Sequence, residues 1–165
     1  MIIRKTLMSD LCEVCEIYSS ARDYMISRGN ASQWKNGHPE RELIVRDVEA
    51  GKSYVCVRDC VVYAVFYFAV ECEPAYGIID GSWLNDDSYG VVHRIARNRN
   101  SSGTGAAAHC LNWCFEQCGN IRIDTHRDNA PMRVLMASLG FAYCGTVRID
   151  SGEERLAYQK IRLIA

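Results

Sequence analysis

A short glycine-rich stretch, Ser101-Ser-Gly-Thr-Gly-Ala106, constrains this chain more than any other part of its sequence. It lies between an apolar strand pattern, about Gly90 to Ala96, and an apolar helical pattern that runs to about Cys118. Glycine lets the backbone approach a phosphate closely, and the free N–H groups at a helix N-terminus attract anions. The stretch therefore predicts a phosphate-binding turn, although a turn that merely needs glycine would have the same composition.

Two other phosphate-binding motifs compete for this stretch. A P-loop is excluded, because no Gly-Lys-Ser/Thr follows. Gly103, Gly105 and Ala108 satisfy the dinucleotide-binding pattern GxGxxG/A, and Asp124 lies near its expected acidic position. However, six polar residues separate Ala96 from Gly103, whereas the dinucleotide turn follows its strand directly. The preceding strands also read as a hairpin, so an NAD-binding protein is the less favoured alternative.

Strand and helix patterns follow one another in the order β-α-α-β-β-β-α-β-α-β-β. This order predicts a mixed α/β fold around one sheet rather than a regular βαβ alternation. Residues 72–89 are predicted to be a loop. The predicted strands are 2–5, 53–57, 61–71, 90–96, 121–126, 141–149 and 155–161, and the predicted helices are about 10–28, 40–50, 106–118 and 130–139.

Length and composition predict one globular domain, residues 1–165. The net charge of −1 argues against nucleic acid or an anionic membrane as the main partner. The longest apolar run, Val61 to Val70, is too short to cross a bilayer as a helix and suits a buried central strand. Nine cysteines, an odd number with no signal-like segment before them, indicate reduced thiols and a cytoplasmic location.

The spacing of the cysteines favours packing over metal binding. Cys12 and Cys15 have CxxC spacing, but no second pair follows and both lie in a helical pattern. We therefore expect them to pack in the core, with no metal site. Cys110, Cys114 and Cys118 recur every four residues, which places them along one buried helix face.

Three segments together resemble the GNAT superfamily of N-acetyltransferases. Val91-Val-His-Arg-Ile-Ala96, with the glycine turn and helix after it, is similar to that family's acyl-CoA motif, a strand leading to [Arg/Gln]-x-x-Gly-x-[Gly/Ala]. Residues 129–141 are similar to a second motif, Asn-x6-Tyr-x3-Gly-Phe in rough form, and residues 3–11 to the usual start of the domain. The resemblance covers nearly the whole chain in the right order, and it implies a single central mixed sheet flanked by helices.

The resemblance also implies how acetyl-CoA, the cosubstrate of the family, is bound. Backbone groups at the end of the strand would hydrogen-bond the pantetheine arm, and backbone N–H groups of the glycine turn would hold the pyrophosphate. An asparagine before the next helix would position the CoA near its acyl end. These expected cofactor-binding residues are Ile95, Ala96, Arg97, Ser102, Gly103, Thr104, Gly105, Ala106 and Asn129.

Two positions depart from the family pattern. Asn100 stands where the turn has arginine or glutamine, so phosphate binding is expected to use Arg97, Arg99 or backbone groups alone. Met136 stands where the family often has the tyrosine that protonates the departing thiolate, and a thioether has no proton to donate.

Several side chains are candidates for the proton transfers that acetyl transfer to an amine requires. His93 resembles a base histidine of some arylalkylamine-type members, and imidazole as a group suits deprotonation of an ammonium near neutral pH. A structural histidine in the sheet is an equal alternative. Asp124 and His126 share one strand face and could form a base relay, although turn hydrogen bonds explain such residues more often. Tyr143 and Tyr158, on the last two strands, are substitute candidates for the acid.

The predicted function is acetyl transfer from acetyl-CoA to a primary amine of a small molecule or a peptide, by direct attack in a ternary complex. Trp34 and His38 lie in a loop that resembles the family's acceptor-side wall. The alternative is a CoA-binding module of the same fold without transfer activity, which Met136 favours. Dimers are common in the family, so a homodimer remains open.

Overall fold

A computed structural model describes residues 1–101 and 103–162, and within them one mixed sheet of eight strands carries the fold. The strands are β1 Ile2–Lys5, β2 Ser53–Arg58, β3 Val61–Val70, β4 Ile79–Gly81, β5 Gly90–Arg97, β6 Asn120–Thr125, β7 Ala142–Arg148 and β8 Glu154–Ile161. They lie in the order β1-β2-β3-β5-β6-β8-β7-β4. Only the central pair, β5 and β6, is parallel; the other six neighbouring pairs are antiparallel.

Four helices connect the strands: α1 Leu11–Ser27, α2 Arg41–Glu49, α3 Ala106–Cys118 and α4 Ala130–Ser138. Local causes fix both ends of α3 and the start of α4. At α3, Gly105 precedes the first turn and Gly119 follows the last one, both with positive φ, of 72° and 70°. At α4, the side chain of Asn129 accepts a hydrogen bond from the Met132 N–H, which caps the first turn.

The helices cover opposite faces of the sheet. On the first face, α1 and α2 pack on β2, β3 and β5 through a core of Leu11, Val14, Ile17, Tyr18, Ile44, Val55, Val62, Val65 and Ala96. On the second face, α3 and α4 pack through a larger core of Cys56, Ala64, Phe66, Phe68, Val92, Ala106, Cys110, Leu111, Cys114, Ile121, Ile123, Met136, Phe141 and Tyr158. Strand β3 contributes to both cores, as expected of a central strand.

The segment between β3 and β5 covers the remaining part of the first face. Its Tyr76 is buried in a small core with β5, β7 and β8. The guanidinium of Arg122, on β6, lies 4.3 Å from the ring centre of Trp83 and 4.1 Å from that of Tyr89, and it donates a hydrogen bond to the Asn85 carbonyl. Aromatic packing and this buried cation therefore fix the segment against the sheet.

The predicted fold class is confirmed, and most predicted elements agree with the structure within two residues at each end. The prediction of a loop at residues 72–89 is wrong for Ile79–Gly81, which forms β4 and pairs with β7 at the sheet edge. Core packing of the CxxC pair is wrong for Cys12, which is exposed because it lies beside the buried face of α1. Cys15 is partly buried and packs against the core of the first face.

Cys110 and Cys114 are buried as predicted, and Cys118 is partly buried. In the part of the chain that the structure describes, the helices are too short or too polar to span a membrane. The same residues contain no cluster of three or more His, Cys, Asp or Glu side chains suited to a metal ion.

Candidate active site

The parallel strands β5 and β6 pair only at their beginning and then separate. Their register joins Gly90 to Ile121 and Val91 to Arg122, and no further pair follows among the described residues. Beyond Val91, β5 stays paired with β3 through a bulge at which Arg94 has a φ of 51°. The edge of β5 that faces β6 therefore offers unpaired backbone groups over its second half.

A cavity of about 730 Å³ lies where the two strands separate. Its walls are the last two turns of α1, loop residues 32–38, the second half of β5, the end of β6 and the tip of the β7–β8 hairpin. The first turns of α3 and α4 close it on the second face of the sheet. The cavity thus passes through the sheet plane and is accessible to groups from both faces.

The glycine turn lies between β5 and α3, and both of its glycines have positive φ. Gly103 and Gly105 have φ values of 76° and 72°, and a Cβ on either would find no atom within 4 Å. Glycine is therefore required by backbone conformation, and the space beside the turn is open. The hydroxyl of Ser101 donates to the carbonyl of Tyr63, and the N–H and hydroxyl of Thr104 both donate to the Ser101 carbonyl, which fixes the turn to β3. Ser102 lies outside the described residues.

The predicted cofactor residues of β5 are on the cavity wall. Ile95, Ala96 and Arg97 all line it, at the open edge of the strand. The guanidinium of Arg97 lies 5.9 Å from the ring centre of Tyr24, and its buried Nη1 has no hydrogen-bond partner among the residues described. A buried guanidinium nitrogen without a partner is costly, so this group is suited to receive an acceptor atom from a ligand.

Asn129 also lines the cavity, but its side chain is already engaged. Its Oδ1 caps α4, and its Nδ2 donates to Oε1 of Gln33 over 2.9 Å. Gln33 Oε1 also accepts from Asn30 Nδ2. The asparagine thus joins the α1–α2 loop to α4, a structural role that sequence reasoning missed.

His93 lines the cavity and has a carboxylate partner that the sequence did not indicate. Its Nε2 lies 2.9 Å from Oε2 of Glu73, and both side chains are partly buried. The imidazole packs beside the rings of Tyr67 and Tyr76, with centroid distances of 5.6 and 6.4 Å. The hydrogen bond from His93 lowers the pKa of the Glu73 carboxyl, an effect that burial only partly opposes.

The structure separates Asp124 from His126. Asp124 lines the cavity, and its Oδ2 accepts a hydrogen bond of 2.8 Å from the hydroxyl of buried Tyr76. Burial raises the pKa of Tyr76 well above its usual value, and the neighbouring Asp124 raises it further. Nδ1 of His126 instead accepts from the Asp128 N–H, so this histidine takes part in a turn rather than in a relay.

The two candidate acid positions lie away from the cavity. Tyr143 is 57% exposed on β7, and its ring packs edge-on against Tyr158, 5.6 Å away. Neither tyrosine lines the cavity. Met136 is completely buried in the core of the second face. The structure therefore does not bring the predicted substitute acids together with His93.

The wall formed by loop residues 32–38 and the β7–β8 hairpin contains the predicted aromatic pair and an ionic chain that was not predicted. Trp34 and His38 both line the cavity, and burial lowers the pKa of His38. Lys35 and Arg155 are joined by Glu153, whose carboxylate accepts hydrogen bonds from both. Asp124, whose Oδ1 lies 4.0 Å from Nε of Arg155, adds a second carboxylate, so two cations face two anions at this end of the cavity.

No protein-family model matches the sequence, and no curated protein matches it. Solved structures do resemble it. A GNAT-family acetyltransferase from Streptococcus agalactiae is 31% identical, with a TM-score of 0.90 over 99% of this chain and 96% of that chain.

Two more distant structures share the fold. A GNAT-family acetyltransferase from Listeria monocytogenes is 16% identical, with a TM-score of 0.73 over 98% of this chain and 94% of that chain. A ribosomal-protein-alanine N-acetyltransferase from Brucella melitensis is 20% identical, with a TM-score of 0.68 over 98% of this chain and 100% of that chain. The separated central strands, the glycine turn and the extended likeness to the streptococcal protein lead to one conclusion: this chain belongs to the GNAT family of acetyltransferases.

Proposed function

We propose that this protein is an acetyl-CoA-dependent N-acetyltransferase that acts on a primary amine of a small molecule or a peptide. The observation that carries the proposal is the open edge of β5, which leads along one cavity wall to the glycine turn and the N-terminus of α3. An extended, amide-containing chain can hydrogen-bond such an edge, and a pyrophosphate suits the helix N-terminus that follows it.

The residues present fit an acyl-CoA. The open edge offers backbone groups of Ile95, Ala96 and Arg97 to the pantetheine amides, and the side chain of Arg97 adds an unpartnered buried donor. The space beside Gly103 and Gly105 is free for phosphate oxygens. When bound, acetyl-CoA supplies a thioester whose acetyl group is activated for transfer.

The other side of the cavity fits an amine acceptor. His93 lines the same cavity as Trp34 and His38 of the α1–α2 loop. In our proposal His93 accepts a proton from the acceptor ammonium, directly or through water, and backbone N–H groups of the bulge polarise the carbonyl that is attacked. All nine cysteines are free, which supports a reducing compartment such as the cytoplasm.

The acceptor class has two candidates. The Brucella neighbour is named for an alanine of a ribosomal protein, which makes a peptide amine one of them. The chain of Lys35, Glu153 and Arg155, whose excess positive charge is balanced by Asp124, closes the acceptor end, which suits a small amine equally well. A panel of both kinds of acceptor is therefore needed.

A CoA-binding module without transfer activity is the second candidate function. The positions of Met136 and Tyr143 favour it, because neither can donate a proton into the cavity. An N-acetyltransferase in which bound water donates the proton would need neither side chain. Only a measurement of turnover therefore distinguishes the N-acetyltransferase from the CoA-binding module.

The test combines binding and turnover. Acetyl-CoA at about 100 times its Kd is expected to stabilise the fold by about 2.7 kcal/mol and to raise Tm by roughly 5–10 °C, whereas NAD should have no effect. Release of free CoA is then measured with small amines and with peptides that have free N-termini. Binding without turnover on the whole panel would favour the binding module, and a shift with NAD alone would contradict both candidates.

A further inference from the structure

The pairing of His93 with Glu73 is held by more than one contact. The Glu73 N–H donates to the hydroxyl of Tyr89 over 3.1 Å, and Glu73 Oε1 accepts from the Ala75 N–H over 3.3 Å. These two bonds fix both the backbone and one carboxylate oxygen. The second oxygen is left to face Nε2 of the imidazole, at 2.9 Å.

The chemistry of the carboxyl determines which ring nitrogen carries the proton. The hydrogen bond from His93 lowers the pKa of Glu73, so Glu73 is ionised at neutral pH. An ionised carboxylate only accepts hydrogen bonds, so Nε2 must carry the hydrogen. In a neutral imidazole the lone pair then lies on Nδ1, for which residues 1–101 and 103–162 provide no hydrogen-bond partner.

The other groups around His93 do not compete for this role. The rings of Tyr67 from β3 and Tyr76 from the segment before β4 lie tilted beside the imidazole, and their hydroxyls donate to Glu71 and Asp124. Arg94, the next residue of β5, directs its charge to Asp47 of α2, with 2.6 Å between Nη2 and Oδ2. That ion pair is nearly buried and neutral as a whole.

We propose that Glu73 is a positioning residue, which holds His93 as the Nε2–H tautomer and leaves Nδ1 to accept the proton of the acceptor ammonium. The proposal rests on the proposed function. In the step, one ammonium N–H bond breaks and one Nδ1–H bond forms, giving a neutral amine and an imidazolium. The positive charge moves from the ammonium to the ring, where the Glu73 carboxylate stabilises it.

The first test needs no turnover. Nitrogen-15 NMR of the histidine side chains is recorded across pH on the cofactor-free protein, and the signals of His93 are assigned by their loss in His93→Gln. The wild type should show the Nε2–H tautomer. In Glu73→Gln this preference should be lost, because the amide can donate a hydrogen bond to Nε2 as well as accept one from it.

Glu71→Gln is the matched control. Glu71 lies two residues earlier and is bound to Lys52 and Tyr67, and it does not line the cavity. It should leave the tautomer of His93 unchanged. Glu73→Asp, which keeps an ionised acceptor, should retain the Nε2–H form at least in part, and thermal unfolding of each variant verifies that it is folded.

The second test is the pH dependence of kcat/KM with an amine that the wild type accepts. Removal of the carboxylate beside the imidazolium in Glu73→Gln should move the rising limb of kcat/KM to lower pH. Loss of orientation should lower its plateau at least ~10-fold. An unchanged tautomer in Glu73→Gln, or a changed tautomer with an unchanged limb and plateau, would overturn the proposal. Absence of turnover in the wild type would instead contradict the proposed function, and the NMR result would then describe a structural pair.

Discussion

Gly81 of β4 and Gly145 of β7 face each other so closely that neither has room for a side chain. A Cβ on Gly145 would lie 2.1 Å from the carbonyl oxygen of Asp80, and a Cβ on Gly81 would lie 2.1 Å from that of Cys144. Both glycines have positive φ, of 136° and 140°. The two backbones therefore meet where any other pair of residues would force them apart.

Gly145→Ala is expected to lower the free energy of unfolding by about 2–4 kcal/mol, since it adds a clash with backbone to the cost of positive φ. Gly152→Ala is the control, because Gly152 has a φ of 81° but open space around it. That variant should lose only about 1–2 kcal/mol, the cost of conformation alone. Urea denaturation measures both, and equal losses would mean that β4 moves aside without cost.

Gly105→Ala is expected to weaken acetyl-CoA binding more than ~10-fold, because a methyl group would occupy the space before α3 where we place the pyrophosphate. The space is open in the structure, so the fold should lose only about 1–2 kcal/mol from a φ of 72°. Gly140→Ala is the control. It has the same conformational cost at a φ of 79°, and this variant should bind acetyl-CoA with the affinity of the wild type. Calorimetric titration with acetyl-CoA distinguishes them, and equal affinities would exclude the turn as the phosphate site.

Thr125→Val is expected to leave the free energy of unfolding unchanged or to raise it by up to about 1–3 kcal/mol. The Thr125 residue is completely buried, and its hydroxyl has no hydrogen-bond partner among the residues that the structure describes. In contrast, Thr6→Val removes a buried 2.8 Å hydrogen bond to Ser53 and should cost about 1–2 kcal/mol. Equal destabilisation in both variants would show that the Thr125 hydroxyl is hydrogen-bonded in solution.

Asp10→Asn is expected to lower stability at pH 7 by about 1 kcal/mol. Two hydrogen bonds from the Arg4 guanidinium, helped by the Leu7 N–H, lower the pKa of Asp10 despite some burial. The pKa of Asp10 is lower in the folded protein than in the unfolded chain, where it is about 3.9. The stabilisation is therefore complete above the unfolded-state pKa and is lost as the pH falls through the folded-state pKa.

The difference in the free energy of unfolding between wild type and Asp10→Asn, measured by urea denaturation, should therefore persist from pH 7 to about 5. It should shrink as the pH falls below about 4. Asp59→Asn serves as the control, because Asp59 forms an exposed pair with Arg58 and should show no difference at any pH. If the loss of unfolding free energy in Asp10→Asn is independent of pH, the pKa of the Asp10 carboxyl is not lowered in the folded protein.

Sequence patterns predicted those elements whose signal is local. The helix that follows Gly105 and stops at Gly119 was predicted within one residue, because turn glycines and apolar spacing define it without reference to the rest of the chain. Strand β4 was missed for the opposite reason. Its three residues carry no periodicity, and it is a strand only because Gly145 allows β7 to approach it.

The same distinction applies to the candidate site. His93 and the residues of the glycine turn lie in one continuous segment, and sequence reasoning found them. Glu73 reaches His93 from a segment without regular structure, and Arg155 comes from the final hairpin. The positions of Glu73 and Arg155 relative to the glycine turn depend on how the whole sheet is assembled, and no short motif encodes that assembly.

The placement of β4 has a consequence for the order of events during synthesis. It precedes four strands in the chain, yet it lies outside all of them at the edge of the sheet, beside β7. Until residues 142–148 have left the ribosome, the segment that contains Tyr76 and Trp83 has neither its edge partner nor most of the surface that buries it. Exposed aromatic surface in a nascent chain favours association with other chains. The fourth strand therefore finds its neighbour only when translation is almost complete.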